Sequence, residues 1–266
     1  MPLANDYVNE LRHELKMFPV WPPETPVTLG DYGTLTRGIF QRRGNIGDFG
    51  ITLETLPDSD SRDIEYKSDG KIEVTTLAEV QGGVPGAQGH LTKRVEFSDA
   101  HAVLLSAVRC VYQVASNYAH IDSELQEKLN GGVWRKEWVV VTGLVRAESA
   151  TILVSSAANA SIDLQLEGEI PQAHLAGARL GIKVAREASM GLKVLAHQGA
   201  TPLIMLSRLQ KRYKPFWPIP DGYVFEPFGA PAVQTPHAPA VEASLPQLAL
   251  IEPDIMTDTL ETSLAG

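Results

Sequence analysis

The chain has 266 residues, of which 44% are hydrophobic and 21% charged, and its formal net charge is −9. This composition is typical of a globular protein, and the length suffices for one well-formed core. The net negative charge argues against a general nucleic-acid-binding protein, which needs a basic face. We find no signal-peptide pattern at the N-terminus and no run near the ~18 apolar residues of a membrane helix, so we expect a cytoplasmic protein.

The N-terminal segment has the pattern of a short amphipathic helix. Large apolar side chains recur at helical spacing over residues 6–18, and Asn5 or Asp6 can cap the helix start. The apolar residues are Tyr7, Leu11, Leu15 and Phe18. Four prolines between positions 19 and 26 then predict an extended connector, because proline cannot continue a helix.

Two pairs of strands are predicted next, each pair flanking a turn. Residues 30–33 contain two glycines, and residues 68–70 contain an Asp-Gly pair that favours a tight turn. The flanking strands are predicted at 27–29 and 34–41, and at 64–66 and 71–77, with a polar loop at 57–63 between the pairs.

The middle of the chain is harder to interpret. Residues 81–89 are rich in glycine and predict a flexible loop. Residues 90–118 are compatible with both a strand and a helix, since Leu104 and Val108 fit either periodicity. Residues 121–129 predict a helix, because apolar side chains recur there every four residues and two glycines follow.

The second half is a succession of short apolar or alternating segments, the pattern of an antiparallel sheet. The segments are 137–145, 151–155, 161–167, 180–184, 192–194 and 202–206. No helical segment alternates with them, so we do not expect parallel βαβ units. We therefore predict an α+β fold with a twisted, mainly antiparallel β-sheet and peripheral helices.

The composition changes near residue 227. From there to the end the chain has six prolines, five acidic residues and no Lys or Arg. We predict a core domain at 1–226, a Pro-rich linker at 227–244 that is disordered over 229–243, and an acidic C-terminal segment at 245–266. Within that segment Leu248, Ile251 and Ile255 recur at three- to four-residue spacing, which indicates docking onto another surface.

No motif in the sequence indicates catalysis. The seven histidines lack the spacing of a helix-borne zinc pair, and the single cysteine, Cys110, is expected to be buried and inert. The acidic loop at 57–63 lacks the glycine and glutamate of a calcium-binding EF-hand loop. We expect no enzyme activity, no metal and no cofactor, although a triad of residues distant in sequence is compatible with this pattern.

Basic pairs occur at four places in this acidic chain. Each pair alone is typical of a solvated face, whereas together they are compatible with a patch for anionic lipid. The pairs are Arg42-Arg43, Lys93-Arg94, Arg135-Lys136 and Lys211-Arg212, the last followed by Lys214. Our candidate lipid contacts are Arg42, Arg43, Lys211, Arg212 and Lys214.

The segments at 161–167 and 180–184 alternate strictly between apolar and polar residues. This pattern fits a half-buried sheet in a soluble domain, and it also fits membrane-inserted strands with one apolar and one polar face. The candidate membrane-facing residues are Ile162, Leu164, Leu166, Leu180, Ile182 and Val184. The candidate water-facing residues are Asp163, Gln165, Glu167, Lys183 and Arg186.

The order of these features over residues 93–213 resembles the bacterial gasdermins. The resemblance is carried by Trp138-Val139-Val140-Val141-Thr142, by Leu144-Val145-Arg146-Ala147, and by Gly199-Ala200-Thr201-Pro202-Leu203 before the last strand. Many members of that family carry a lipidated cysteine near the N-terminus, whereas residues 2–10 of this chain contain none.

The resemblance implies a cytoplasmic, autoinhibited precursor. A protease would remove the C-terminal peptide, for which Leu248, Ile251 and Ile255 would be the autoinhibitory anchors. The core would then self-associate on an anionic cell membrane and insert β-hairpins as a pore, which kills the cell and limits phage spread. The alternative function is a non-enzymatic β-rich interaction or scaffold protein of the cytoplasm.

Overall fold

Segments rich in Val and Ile, or alternating in polarity, form strands in this protein, and two segments with helical spacing form α helices. The computed structural model describes residues 2–80, 90–167, 175, 181–213 and 220–228. Along the described chain the elements are α1 (Pro2–Leu15), β1 (Phe18–Pro19), β2 (Asp31–Thr36), β3 (Ile39–Asn45), a 3₁₀ turn (Ile46–Phe49), β4 (Arg62–Lys67), β5 (Ile72–Val80), β6 (His90–Phe97), β7 (Val103–Val114), α2 (Tyr118–Asn130), β8 (Trp138–Arg146), β9 (Ser149–Ser155), β10 (Ala160–Glu167), β11 (Gly181–Ala188), β12 (Met190–Gln198), β13 (Leu203–Tyr213) and β14 (Pro220–Phe228).

The strands form two sheets. The ten-stranded sheet has the order β1-β13-β8-β7-β9-β12, with β14 on β13, β2 on β8, β3 on β2 and β4 on β7. The second sheet, here called the hairpin sheet, has four strands in the order β11-β10-β6-β5. Every strand pair described is antiparallel. The predicted α+β fold with a mainly antiparallel sheet is thus confirmed.

Helix α1 forms as its apolar spacing predicts, but it begins earlier. It starts at Pro2, a residue that suits the first turn of a helix, so Asn5 and Asp6 lie inside the helix and the predicted cap is wrong. Its buried side chains larger than alanine are Tyr7, Val8, Leu11 and Leu15, which pack on one face of β7 and β9. Phe18 lies in β1 instead.

The structure corrects the first predicted turn and confirms the second. The first hairpin joins β2 to β3 at Arg37 and Gly38, whose φ values of 52° and 82° match the primed turns that suit twisted hairpins. The predicted turn residues 31–33 belong to β2. The second turn does lie between β4 and β5, yet these strands pair with β7 and β6 respectively and so belong to different sheets.

The segment compatible with strand or helix forms two strands, β6 and β7. Leu104 and Leu105 are both fully buried, the first in the core under the hairpin sheet and the second in the core under α1. Because β7 is covered on both faces, its apolar residues need not alternate, which explains the missing period of two.

Elements α2 and β8 to β12 agree with the prediction, whereas β13 and β14 differ from it. Helix α2 buries Ile121 and Leu125, and β8 to β12 occupy the predicted segments. Strand β13 extends to Tyr213 and pairs with β14, a strand that was not predicted. Pro227 and Phe228, assigned to the linker from composition, pair with Ser207 and Leu206. Residues 229–266, which include the rest of the predicted linker and the C-terminal segment, lie outside the described residues, as does the loop at 81–89.

Candidate functional site

The hairpin sheet repeats the order of the strands beside it. Each of its strands is joined to one strand of the ten-stranded sheet through a short connection, here called a bend: β4–β5 at 68–71, β6–β7 at 98–102, β9–β10 at 156–159 and β11–β12 at residue 189. The lateral order is β11-β10-β6-β5 in one sheet and β12-β9-β7-β4 in the other. The hairpin sheet is therefore a continuation of four strands, folded back at one line of bends.

The inner face of the hairpin sheet is apolar and buried. Ile162 and Leu164 are 0% exposed and Leu166 is 2% exposed. In the same core, Val95 and Phe97 of β6 pack with Leu104 of β7 and Leu153 of β9. Three of the candidate membrane-facing residues therefore lie on the buried face of the hairpin sheet, which is half-buried in this folded state.

The candidates on β11 are less well covered, because β11 is an edge strand that pairs with β10 alone in the described structure. Ile182 is partly buried against the same core, and Val184 is 38% exposed. Leu180 lies outside the described residues. The structure brings Ile182 and Val184 beside Leu166 and Leu164.

The outer face of the hairpin sheet is polar and carries a bidentate ion pair. Arg94 donates from Nε to Asp163 Oδ1 at 2.7 Å and from Nη2 to Oδ2 at 3.0 Å. The hydrogen bonds from Arg94 hold the pKa of Asp163 below its ordinary value, and the charge of Arg186 adds to this effect. Gln165 on the same strand is exposed. The sheet thus has one apolar and one polar face, as the alternation predicts.

Lys93 is the exception on the inner face. It pairs with Leu164 and is 6% exposed, whereas its neighbour Arg94 points outward. Burial lowers the pKa of Lys93, the charge of Glu65 opposes that shift, and the charge of Lys67 adds to it. Because successive residues of a strand face opposite sides, Lys93 and Arg94 do not act as one basic pair.

The described candidate lipid contacts lie on two different strands of the ten-stranded sheet, β3 and β13. Arg42 on β3 is half-exposed and forms an ion pair with the buried carboxylate of Asp31, with Nε 2.9 Å from Oδ2. Arg43 and Lys211 are exposed. The side chain of Arg212, and all of Lys214, lie outside the described residues.

The structure brings one further basic residue to Lys211. The ammonium of Lys136 lies 5.1 Å from the ring centre of Tyr223, and Tyr223 pairs with Lys211 across β13 and β14. Nearby in sequence, the guanidinium of Arg135 lies 5.8 Å from the ring of Trp138. The pairing of β13 with β14, which the sequence did not predict, places Lys211 and Lys136 beside the same residue, Tyr223.

Each bend contains a residue in the left-handed backbone region. The φ values are 62° at Gly70, 64° at His101, 58° at Asn159 and 55° at Ser189. The Asp-Gly pair predicts the left-handed conformation of Gly70, and asparagine, as at position 159, tolerates this region better than most residues. A single histidine or serine is too weak a signal to mark a bend, so the line of bends was not predicted from the sequence.

Cys110 is buried as expected, at 0% exposure. Burial raises the pKa of its thiol to about 12, and the charge of Asp63 adds to the shift. Such a thiol is almost entirely protonated at neutral pH and is a poor nucleophile. Among the described residues, no group of three or more His, Cys, Asp and Glu side chains is arranged to hold a metal ion.

Within the described ranges, neither helix is both long and apolar enough to span a membrane. The sequence matches no protein-family model and no curated protein. Among solved structures, the chain is similar to one described as "Cryo-EM structure of the Gasdermin A3 membrane pore". The sequence identity is 12%, the alignment covers 88% of this chain and 96% of that chain, and the TM-score is 0.35. At these values the likeness assigns no function.

Proposed function

We propose that this protein is the autoinhibited, non-enzymatic precursor of a membrane pore-forming effector, in which the hairpin sheet swings away from the core and enters the bilayer. The observation that carries the proposal is the shared lateral order of the hairpin sheet and the strands it continues. If all four bends straighten, four long strands result. The ladders on either side of the bends keep their pairing, so few hydrogen bonds need to be exchanged.

The dimensions of the hairpin sheet suit this role. Its strands have eight or nine residues each, close to the ~9–11 residues with which a tilted strand crosses a bilayer. Its inner face would contact lipid and its outer face water, which is the alternation of membrane-inserted strands. Lys93 departs from this pattern, and in the inserted state its long side chain would reach toward the lipid head groups.

Burial explains why the sheet stays folded in water. Each of Val95, Phe97, Ile162 and Leu164 contributes about 1.5–3 kcal/mol by its burial, or roughly 6–12 kcal/mol together. Opening in water loses this stabilisation, whereas the hydrocarbon of a membrane restores it. The proposed transition is therefore rare in solution and favourable at a bilayer.

The free edges of the two sheets suit self-association. Among the described pairings β4 and β5 lie at one side, and β12 and β11 at the other. Three antiparallel steps separate the two edges, so the edge strands run in opposite directions. A second copy in the same orientation would then extend the sheet with antiparallel pairing, and this head-to-tail contact can close into a ring.

The proposed control is the C-terminal segment at 245–266, with Leu248, Ile251 and Ile255 as anchors. Three such side chains would contribute about 1.5–3 kcal/mol each, which in total is less than the entropy cost of ordering the segment at about 1–2 kcal/mol per residue, so the segment docks weakly. The linker helps by keeping the segment at a high effective concentration.

A protease that cuts between residues 229 and 244 would release the core from the cytoplasm to the cell membrane, where Arg43 and Lys211 would meet anionic lipid. Cell death, and in a bacterium defence against phage, would follow.

The experiment is dye release from anionic liposomes. Intact protein, protein cut at an engineered protease site in the linker, and the uncut Leu248→Asp/Ile251→Asp variant are compared. We expect leakage from the last two only. If the cut protein stays monomeric and releases no dye, the pore proposal fails and the interaction-protein alternative replaces it.

A matched pair of variants tests the orientation of the hairpin sheet. Val184 is exposed at the edge, so Val184→Lys should fold normally, yet it would place a charge on the lipid-facing side at about 2–4 kcal/mol per copy near the bilayer centre. Gln165→Lys places the same charge on the polar face of the adjacent strand. In the cut protein, Val184→Lys should reduce leakage, because it adds a second lysine to the row that already contains Lys93, and Gln165→Lys should preserve leakage. Equal leakage from both would contradict the proposed insertion.

A further inference from the structure

The bends hold their backbone in a conformation that straight strands do not use. Left-handed φ values crowd the β-carbon of an L-residue, and three of the four bend residues are not glycine: His101, Asn159 and Ser189. In a continuous strand these residues would adopt the extended region. The folded-back arrangement therefore carries local strain, less at Asn159 than at His101 and Ser189, which straightening would relieve.

Helix α1 makes polar contacts with the bend between β4 and β5. The carboxylate of Glu10 accepts hydrogen bonds from the Tyr66 hydroxyl at 3.0 Å and from the Ser68 hydroxyl. The Ser68 Oγ also accepts from the backbone N–H of Val103 at 2.7 Å, at the start of β7. Glu10 thus ties the helix to the point where the first two bends meet.

The same helix reaches a second bend and the start of the strand that follows a third bend. Asp6 Oδ2 lies 2.9 Å from Nδ1 of His101, the left-handed residue between β6 and β7. Leu3 packs against Gly191, two residues after the left-handed Ser189, where an added β-carbon would lie 3.0 Å from Leu3 Cδ1. One face of α1 is meanwhile anchored in the core by Tyr7 and Leu11.

We propose that α1 is an internal lock: it holds three of the four bends, including the strained ones at His101 and Ser189, in their folded-back conformation, and the hairpin sheet opens when the helix leaves them. This inference rests on the proposed function only for what the released hairpin sheet then does. The lock is a property of the soluble protein, built from Leu3, Asp6 and Glu10. It acts separately from the C-terminal segment, so removal of that segment and release of α1 are two steps.

Hydrogen–deuterium exchange of the full chain in water, without lipid, tests the lock. The Asp6→Ala/Glu10→Ala variant removes the polar contacts while alanine keeps the helix propensity high. We expect the amides of the hairpin sheet to exchange about tenfold faster or more, with the amides of β8 and β13 unchanged. Glu14→Ala is the matched control, because Glu14 lies one turn further on the same helix and is half-exposed beside His13.

Two results would overturn the lock. One is unchanged exchange of the hairpin sheet in the double variant. The other is an equal acceleration in β8 and β13, since that would report a general loss of stability. The measurement contains no membrane, so a protein that exchanges as expected but releases no dye would refute the pore proposal and leave the lock standing.

A second pair of variants tests the strained bends without touching α1. The side chain of Ser189 is exposed. Glycine accepts the left-handed region freely, whereas a β-branched residue resists it. We expect Ser189→Gly to slow exchange of β11 and Ser189→Val to accelerate it, the two differing by about tenfold. The same exchange rate in both variants, or the reverse order, would show that strain at this bend does not drive opening.

Discussion

Truncation of Ile162 to alanine measures how firmly the hairpin sheet covers the core. Ile162 is 0% exposed at the centre of the sheet, between Val95 on β6 and Glu187 on β11. The change removes three buried carbons and leaves a cavity between two sheets that are both pinned by antiparallel ladders. Such a site relaxes only in part, so we expect a loss of about 2–5 kcal/mol in the free energy of unfolding, and about 0.5–1.5 kcal/mol for Ile162→Val.

Urea unfolding followed by circular dichroism provides the measurement, and Val184→Ala provides the control. Val184 belongs to the adjacent strand of the same sheet but is 38% exposed, so its truncation should change the free energy of unfolding by less than about 1 kcal/mol. The slope of free energy against urea concentration should be similar in all variants, since the native surface is unchanged.

An Ile162→Ala protein that unfolds at the same urea concentration as Val184→Ala would refute this reasoning. It would mean that the hairpin sheet does not cover the core in solution. The proposed function would then lose the buried apolar face on which it depends.

Three further outcomes are expected. Cys110, whose thiol pKa burial raises to about 12, should react with a thiol reagent only after denaturation, and rapid labelling of native protein would contradict its burial. Gly33→Ala should destabilise the protein strongly, because the new β-carbon would lie 1.9 Å from a carbonyl oxygen of β3, whereas Gly131→Ala, with its nearest neighbour at 3.4 Å, should unfold at or above the wild-type temperature. Asp163→Asn should lower stability near neutral pH but not in strong acid. The native pKa of Asp163 lies below its ordinary value of 3.8, so its ion pair with Arg94 stabilises above that pH and is lost as the pH falls through the lowered pKa, and a gap that persists in strong acid would contradict the assignment.

The sequence by itself determined the elements whose signal is local. The helical spacing of Tyr7 and Leu11 specified α1, the spacing of Ile121 and Leu125 specified α2, and the alternation at 161–167 specified β10 with its correct buried face. These predictions succeed because the periodicity of one segment records which of its own faces is covered.

Only the tertiary structure decided which segments lie together. The turn between β4 and β5 reads locally as a hairpin, yet the two strands pair with β7 and β6 in different sheets. Strand β7 shows no alternation because α1 covers one of its faces and the hairpin sheet the other. The left-handed φ of His101 and Ser189 arises because four strands fold back together. This condition involves residues far apart in the chain, so the few residues of each bend do not predict it.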